Sequence, residues 1–343
     1  MMTLLRFLLF PFAILYDLVT TVRNWFFDKS LFTQKRFPLP IIVVGNLNVG
    51  GTGKTPQVEY LIRLLHNSYK IAVLSRGYKR KTKGFVLLDT SHTALDVGDE
   101  PLQYFNKFST IRVAVNGNRV AGVQQLLSVD NLQVILLDDA YQHRKIKGSF
   151  YVLLTKYDDL FVDDFLLPTG NLRESRQGAA RADVILVTKC PNDLSKDAME
   201  SVSSRLIKYK KKIFFTSIIY DDTTSGSLQV LVANLKNYKV LLVTGIANPA
   251  PLISFLSENK VKQTHLQFSD HHHFTEKDIE HIKEEFQKIN SSNKIILTTE
   301  KDYVRLSPKV AHLSFLGMKT AFLNNATLEF NTLIENHIKQ AQF

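Results

Sequence analysis

The stretch I-I-V-V-G-N-L-N-V-G-G-T-G-K-T-P, residues 41–56, decides the fold of this chain. An apolar, β-branched run leads into a glycine-rich turn that ends in Gly-Lys-Thr, and the helical pattern P-Q-V-E-Y-L-I-R-L-L follows. In such a turn glycines let backbone N–H groups converge on phosphate oxygens, and the lysine reaches the β- and γ-phosphates. The pattern therefore predicts a nucleotide-binding loop between a strand and a helix.

The turn departs from the strict Walker sequence at one position, where Asn48 replaces a glycine. We interpret Gly50, Gly51 and Gly53 as the residues that supply the missing flexibility. The hydroxyl of Thr55 is predicted to ligate Mg²⁺ at the start of the helix. The predicted nucleotide-binding residues are Asn48, Val49, Gly50, Gly51, Thr52, Gly53, Lys54 and Thr55.

Apolar strands alternate with helical patterns after this loop, as in K-I-A-V-L-S-R-G-Y (70–78) and A-D-V-I-L-V-T-K (182–189). The alternation predicts an α/β fold, with a P-loop NTPase-like, mostly parallel sheet flanked by helices. A polar stretch over 220–228 indicates a boundary, and later strand patterns predict a second, smaller α/β domain. We expect an N-terminal segment over 1–30, a P-loop domain over 31–225 and a C-terminal domain over 226–343.

Composition bounds the class of protein. The 343 residues are 45% hydrophobic, which is enough for about two domains with substantial cores. The single cysteine, Cys190, cannot form an internal disulfide and fits a reducing, cytoplasmic compartment. The formal charge of +11 indicates attraction to nucleic acid, anionic lipid or a phosphorylated substrate. No RNA-binding aromatic signature or basic helix is present, so we expect no nucleic-acid partner.

The first 19 residues, M-M-T-L-L-R-F-L-L-F-P-F-A-I-L-Y-D-L-V, are dominated by large apolar side chains. The run is too short and too interrupted to span a bilayer. An amphipathic helix at the membrane surface is favoured, with Arg23, Lys29, Lys35 and Arg36 near the headgroups. A helix docked on the core and a signal peptide are the alternatives, although no small-residue cleavage site follows.

Three segments offer ionisable groups for chemistry. The run V-I-L-L-D-D (134–139) has the form of a Walker B strand, so Asp138 and Asp139 are candidate Mg²⁺ ligands, with a solvated turn as the alternative. Asp99 in D-V-G-D-E-P is a candidate base or part of a surface acidic loop. His271 in F-S-D-H-H-H-F belongs to a metal tract, a carboxylate-paired catalytic site or a solvated loop.

Arginines recur in the loops that follow predicted strands. Arg76 lies in L-S-R-G-Y, Arg119 in N-G-N-R, and Arg173 in L-P-T-G-N-L-R-E. A guanidinium fork suits phosphate recognition and stabilises charge on a transferring phosphoryl group. Each arginine alone is typical of a surface charge, but three in one α/β domain favour a phosphate-handling site.

Together these motifs resemble the tetraacyldisaccharide 4′-kinase family of lipid A biosynthesis. The resemblance covers about residues 1 to 305 and rests on V-G-N-L-N-V-G-G-T-G-K-T-P, L-S-R-G-Y, V-G-D-E-P, L-L-D-D-A-Y-Q-H, P-T-G-N-L-R-E, F-S-D-H-H and T-E-K-D, in the family's order. The chain departs from the family's usual residues at Ala140, Tyr141 and Asn171. Since none of these departures removes an ionisable group, they bear on substrate shape more than on chemistry.

The resemblance implies an enzyme that transfers the γ-phosphate of ATP to the 4′-hydroxyl of a tetraacylated glucosamine disaccharide 1-phosphate, giving lipid IV-A. It places the enzyme at the cytoplasmic face of the bacterial inner membrane, peripheral or monotopic. Residues 48–55 would cradle ATP with Lys54 as a catalytic residue, Asp99 would act as base assisted by His271, and Asp138 with Asp139 would serve Mg²⁺ and the reacting groups. The implied substrate residues are Arg76, Arg119, Asn171, Arg173 and Glu174.

Two other classes of function stay open on the residues. A GTPase or metallochaperone-type NTPase switch shares the loop and the Walker B carboxylate, but V-T-K-C-P (187–191) lacks the aspartate of a guanine-recognition motif. A non-catalytic membrane or nucleic-acid adaptor would use the basic surface and leave the loop idle. A preference for GTP without lipid phosphorylation would favour the switch.

Overall fold

The computed structural model describes residues 4–307 and 309–341, so residues 1–3 of the predicted N-terminal segment and 342–343 of the predicted C-terminal domain lie outside it. The first half of the chain forms α1 (Leu4–Phe7), α2 (Phe10–Asp28), β1 (Ile41–Asn46), α3 (Lys54–Leu65), β2 (Ile71–Ser75), β3 (Val86–Leu87), α4 (Ala94–Val97), α5 (Asp99–Lys107), β4 (Arg112–Val115), α6 (Arg119–Val129), β5 (Val134–Asp138), β6 (Phe150–Lys156) and β7 (Val184–Thr188). The second half forms α7 (Lys196–Leu206), β8 (Lys212–Tyr220), β9 (Ser225–Gly226), β10 (Lys239–Thr244), α8 (Ala250–Glu258), β11 (Lys262–Gln267), α9 (Glu276–Lys288), β12 (Lys294–Thr299), α10 (Glu300–Leu306), β13 (Leu313–Leu316), β14 (Met318–Phe322) and α11 (Thr327–Ala341).

The larger sheet has nine strands in the order β14-β8-β7-β6-β1-β5-β2-β4-β3. Its inner pairs are parallel, and only the edge strands β3 and β14 run antiparallel to their neighbours. Every residue of β1 and β5 is buried, as the unbroken apolar runs predict for strands covered on both faces. The predicted P-loop-type, mostly parallel fold is therefore confirmed.

Helices cover both faces of this sheet. Helix α3 buries Val58, Leu61 and Ile62, which recur at helical spacing, in the same cluster as Phe330 and Ile334 of α11. A second cluster packs α6 against β2, β4 and β5 on the opposite face. Because the sheet is parallel, the carboxyl ends of β1, β2 and β5 meet at one edge, where the predicted site residues follow each strand.

The smaller sheet has five strands in the order β11-β10-β12-β13-β9, with only the β13–β9 pair antiparallel. Apolar clusters cover both of its faces. The chain enters this unit after β8 and leaves it at Gly317, where the Asp221 amide donates to the Gly317 carbonyl at 2.9 Å. The last strand and helix, β14 and α11, return to the larger sheet, so the second unit ends earlier than an expected domain over 226–343.

Helix α2 lies along the larger unit. It begins with Phe10-Pro11, and proline suits the first turn because its missing N–H has no helical acceptor there. Its inner face buries Ala13, Thr20, Asn24 and Phe27. Its outer face exposes large apolar side chains, which are Phe12, Ile14, Leu15, Leu18, Val19, Val22 and Trp25. Among the helices of residues 4–307 and 309–341, none combines the length and apolarity needed to cross a bilayer.

Candidate active site

The turn between β1 and α3 has the backbone of a phosphate-binding loop. Gly50 and Gly53 have φ values of 103° and 83°, which a residue with a side chain adopts only with strain. Within the described residues, the N–H groups of Gly51 and Gly53 have no hydrogen-bond partner. The first N–H groups of α3, at Lys54 and Thr55, have no acceptor within the helix. These amides can converge on one anion.

A neighbouring segment braces the loop from behind. Asn48, at the position of the missing Walker glycine, is buried, and its Nδ2 donates to Asp164 Oδ2 at 2.9 Å. The Val49 amide donates to the Asn171 carbonyl at 2.7 Å. The side chain of Asn48 and the N–H of Val49 are thus engaged by the protein, so these two predicted nucleotide-binding residues serve the shape of the loop.

Lys54 and Arg173 converge on Asp139. Lys54 Nζ lies 3.6 Å from Asp139 Oδ1, and Arg173 donates to both carboxylate oxygens at 2.9 and 3.3 Å. Burial alone would raise the pKa of Asp139, but the charges of Lys54 and Arg173 hold it at about 2. Asn46 Oδ1 accepts from both cations. The predicted catalytic lysine, Walker B carboxylate and substrate arginine therefore form one charged cluster.

Asp138 has a different environment from its neighbour. Its carboxylate is buried and accepts from Ser75 Oγ at 3.1 Å, and no salt bridge reaches it from the described residues. Burial raises its pKa to about 7, and the charges of Asp139 and Glu100 add to the effect. Asp138 is thus a carboxylate whose negative charge lacks a close counter-ion in the protein.

Positive charge accumulates beside these carboxylates. Arg76 is exposed at the end of β2, while Arg119 is buried at the start of α6. Burial lowers the pKa of Arg119 to about 10, although the negative charges of Asp138 and Asp139 act to raise it. Burial and the charges of Arg119 and Arg76 lower the pKa of His143 to about 4, so this imidazole is neutral at pH 7. The edge of the sheet can therefore attract a phosphorylated ligand.

The two units meet at Asp99 and His271. Asp99 is the first residue of α5 in the larger unit, and its Oδ2 lies 2.8 Å from His271 Nδ1 in the smaller unit. Asp99 directly follows Gly98, and the turn after β2 packs on that glycine, where an added Cβ would meet Gly77 at 3.2 Å. The structure thus joins two predicted residues that are 172 positions apart.

Two of the predicted substrate residues, Arg119 and Glu174, have buried side chains. Arg119 is 2% exposed, and its guanidinium donates to the carbonyls of Asn116 and Asp138. Glu174 is fully buried and forms an ion pair with Arg181 at 2.8 Å. A buried charge requires partners, and both residues find them in the backbone or a neighbouring side chain. They support the site from within, whereas the remaining predicted residue, Asn171, accepts from Arg6 at 3.2 Å.

Sequence reasoning missed several residues that contact the predicted ones. Gln142 joins the Asn46 carbonyl to Glu174, and the Tyr78 ring packs edge-on against His271 at 5.4 Å. Lys301 and Arg305 of α10 approach His271 and Asp99. Tyr78, Gln142 and Lys301 lie inside motifs already quoted, L-S-R-G-Y, L-L-D-D-A-Y-Q-H and T-E-K-D, so their position beside assigned residues was the available signal.

Comparison with known proteins adds independent findings. A family model described as LpxK, tetraacyldisaccharide-1-P 4′-kinase, matches residues 5–339. The tetraacyldisaccharide 4′-kinases of Flavobacterium psychrophilum and Flavobacterium johnsoniae are 50% and 51% identical to the chain, with 99% of each chain covered. The protein from Bacteroides thetaiotaomicron with the same name is 45% identical over 97% of this chain and 93% of its own. A crystal structure of LpxK from Aquifex aeolicus in complex with ATP has a TM-score of 0.79 and 28% identity, covering 98% of this chain and all of the other.

Proposed function

The chain belongs to the tetraacyldisaccharide-1-P 4′-kinase family, and from this premise we propose which of its residues perform the transfer. It is an ATP-dependent tetraacyldisaccharide 4′-kinase of lipid A biosynthesis. The alternative of a nucleotide switch or metallochaperone finds no support among its relatives. We assign the reaction to the sheet edge that carries Lys54, Asp99, Asp139 and His271.

Asp99 is the proposed base. A carboxylate that accepts a hydrogen bond from His271 can orient the 4′-hydroxyl and take its proton as the oxygen attacks the γ-phosphorus. The new O–P bond forms as the bond to the β-phosphate oxygen breaks, so ADP leaves and the proton stays on the enzyme. The Asp99–His271 contact at 2.8 Å is the observation that carries this assignment, because it pairs a carboxylate with an imidazole where the two units meet.

The phosphate loop and the basic residues are proposed to hold ATP. The amides of Gly51, Gly53 and Lys54 would bind the phosphates. The Lys54 ammonium and the Arg173 guanidinium, which contact Asp139 in this structure, would instead bind phosphate oxygens of ATP. Arg76 is exposed at the same edge and would contact the substrate. Preorganised charge of this kind stabilises the spread of negative charge in the transition state.

The donors present fit Mg²⁺, which we propose as the cofactor. Mg²⁺ prefers oxygen ligands, and the buried Asp138 carboxylate, with its raised pKa and no close counter-ion among the described residues, would be stabilised by a cation. Thr55 and Asp139 would complete the protein's share of the ligands. A bound Mg²⁺ neutralises developing phosphate charge.

The test of this assignment is chemical analysis of the lipid. We expect incubation of the tetraacylated disaccharide 1-phosphate with ATP and Mg²⁺ to give a product heavier by one phosphoryl group, located at the 4′ position by fragmentation. Omission of Mg²⁺ with added chelator should stop the reaction. An unchanged Asp99→Asn variant would refute the proposed base, and transfer at full rate in chelator would refute the cofactor.

We further propose that α2 rests on the cytoplasmic surface of the inner membrane. Its inner face docks on the larger unit while its outer face exposes Phe12, Leu15 and Leu18, each about 60% exposed. An acylated substrate stays in the bilayer, so an interfacial helix brings the site to it. The basic charge of the chain adds attraction to anionic headgroups. No nucleic-acid partner is proposed.

Substitution of the outer face tests this location without disturbing the docked face. We expect Phe12→Ser with Leu15→Ser to lower co-sedimentation with vesicles of anionic phospholipid. Leu328→Ser on α11, where the leucine is 76% exposed, is the matched control and should leave binding unchanged. Equal co-sedimentation of the double variant and the unmodified protein would contradict the membrane role.

A further inference from the structure

The T-E-K-D segment, Thr299–Asp302, joins β12 to α10 and has a contact for each side chain. Thr299 caps the helix, since its Oγ1 accepts from the Asp302 amide at 3.1 Å. Glu300 binds Lys107 of α5, and Asp302 accepts from the Gly245 amide at 2.9 Å. The segment therefore fixes α10 between the two units and presents Lys301 towards the Asp99–His271 pair.

Lys301 contacts the outer nitrogen of the imidazole. Its Nζ lies 2.9 Å from His271 Nε2, 3.3 Å from Asp270 Oδ1 and 3.8 Å from Glu100 Oε1. The carboxylates of Asp270 and Glu100 are thus its ion-pair partners. A lysine ammonium has three hydrogens to donate and no lone pair to accept with. His271 Nε2 must therefore be the acceptor in this contact.

The other nitrogen must then carry the proton. A neutral imidazole has one donor nitrogen and one acceptor nitrogen. With Nε2 accepting from Lys301, Nδ1 is the donor, and it lies 2.8 Å from Asp99 Oδ2. An N–H on Nε2 would point at the ammonium, so the contact opposes the Nε2–H tautomer.

We propose that Lys301 is a positioning residue that sets the tautomer of His271, so that Nδ1–H donates to an ionised Asp99. The inference rests on the proposed role of Asp99 as base. Since Nδ1 already holds a proton, the proton taken from the sugar hydroxyl stays on Asp99 during the transfer. Asp99 Oδ1, which accepts no hydrogen bond from residues 4–307 or 309–341, is the oxygen left for that hydroxyl.

The surroundings hold the imidazole in this arrangement. The His271 backbone has a φ of 56°, and its amide donates to the Gly245 carbonyl at 3.1 Å. Arg305 Nη1 donates to the next carbonyl, at His272, and Arg305 Nε lies 3.6 Å from Asp99 Oδ2. The Tyr78 ring lies edge-on to the imidazole. The charged groups facing the pair are therefore Lys301 and Arg305 from α10, Glu100 from α5, and Asp270.

Nitrogen-15 NMR of the full chain in detergent tests the tautomer directly. Histidine is labelled, and the signals of His271 are assigned as those lost in His271→Gln. We expect Nδ1 to show the chemical shift of a protonated nitrogen and Nε2 that of an unprotonated one. The reverse pattern, or two protonated nitrogens at pH 7.5, would overturn the proposal.

Three substitutions at Lys301 separate its donor from its charge. Lys301→Met removes both, and we expect mixed tautomers and a kcat lowered about 10-fold, similar to the loss of a partner that orients a metal-ligating histidine, with the KM for ATP unchanged. Lys301→Gln keeps an N–H donor without charge. It should partly restore both the single tautomer of His271 and the kcat. Lys301→Arg should recover most of kcat. Lys288→Met, at an exposed ion pair on α9, is the control and should match the unmodified protein.

The outcomes distinguish this inference from the function on which it rests. Full transfer by Asp99→Asn would refute the proposed base whatever the tautomer of His271. An unchanged His271 spectrum and kcat in Lys301→Met would refute the role of Lys301 while leaving Asp99 as base. The spectrum of the unmodified protein decides the tautomer even if a variant fails to fold.

Discussion

The two carboxylates proposed to act in the transfer are held in contrasting ways. Asp139 lies in the larger unit and is paired with Lys54 and Arg173 of that same unit. Asp99 also belongs to the larger unit, but its partners His271 and Arg305 come from the smaller one. One half of the site therefore forms with a single sheet, whereas the other half forms only when two sheets dock.

This difference assigns separate tasks to the two halves. The cluster around Asp139 has opposite charges in contact before any ligand arrives, so phosphate can replace a carboxylate that is already balanced. The Asp99 pair depends on how α5 and α10 pack, through Lys107 and Glu300 at one end and Asp99 and Arg305 at the other. Phosphate binding should thus tolerate changes between the units that abolish proton transfer.

The largest effect is expected at the docked half. Asp99→Asn removes the proposed base, so we expect phosphoryl transfer to fall by about 10²–10⁴-fold, as for other general bases. Binding of a fluorescent ATP analogue should stay within a factor of two or so, because the phosphate loop is intact. Weak analogue binding by this variant would show that the two halves are not separable.

The phosphate half is tested at Lys54. We expect Lys54→Met to lower transfer by about 10²–10³-fold, the range for loss of one preorganised charge donor, and to weaken ATP binding as well. The measurement is the same pair of assays, with Lys208→Met, a lysine outside the site, as control. Loss of transfer without loss of ATP affinity would show that Lys54 stabilises the transition state but does not contribute to ATP binding.

A smaller effect is expected where geometry changes but charge does not. Arg173→Lys keeps the cation and loses the bidentate contact with Asp139, so we expect a loss of about 10-fold in kcat/KM, or 1.4 kcal/mol. Steady-state kinetics with the lipid substrate measures it. A variant that equals the unmodified enzyme would show that only the charge of Arg173 is used.

The smallest effect concerns the docking of the units and its pH dependence. Burial and the charge of Glu59 raise the pKa of Glu300, although Lys107 opposes them. Lys107 itself has a raised pKa because two carboxylates share it, which outweighs its own burial. The two carboxylates thus compete for one ammonium.

Because the folded protein holds the Glu300 proton more tightly than the unfolded chain does, protonation of Glu300 contributes to the unfolding free energy. This contribution is complete at pH values below the ordinary glutamate pKa of 4.5 and is lost as the pH rises through the raised pKa of the folded state. We therefore expect the unfolding free energy of the native protein, relative to Glu300→Gln, to fall between pH 5 and pH 8, by about 1.4 kcal/mol for each unit by which the folded pKa exceeds 4.5. Urea unfolding at each pH measures it. A constant difference would contradict the raised pKa.

Much of the larger unit could be predicted from local patterns. The unbroken apolar runs of β1 and β5 and the glycines before Lys54 each specify a backbone state through neighbouring residues alone. The same reasoning placed Asp138 and Asp139 after a strand. It missed the return of β14 to the larger sheet, because a five-residue strand does not encode which edge it will join.

The sequence by itself determined the phosphate loop, the parallel sheet and the ionisable residues that follow its strands, because each is written in residues close together in the chain. Only the tertiary structure decided that Asp99 meets His271, that Lys301 contacts the far side of that imidazole, and that Arg119 and Glu174 are buried supports. These contacts join distant segments, and their geometry depends on how two units pack, which local periodicity does not specify.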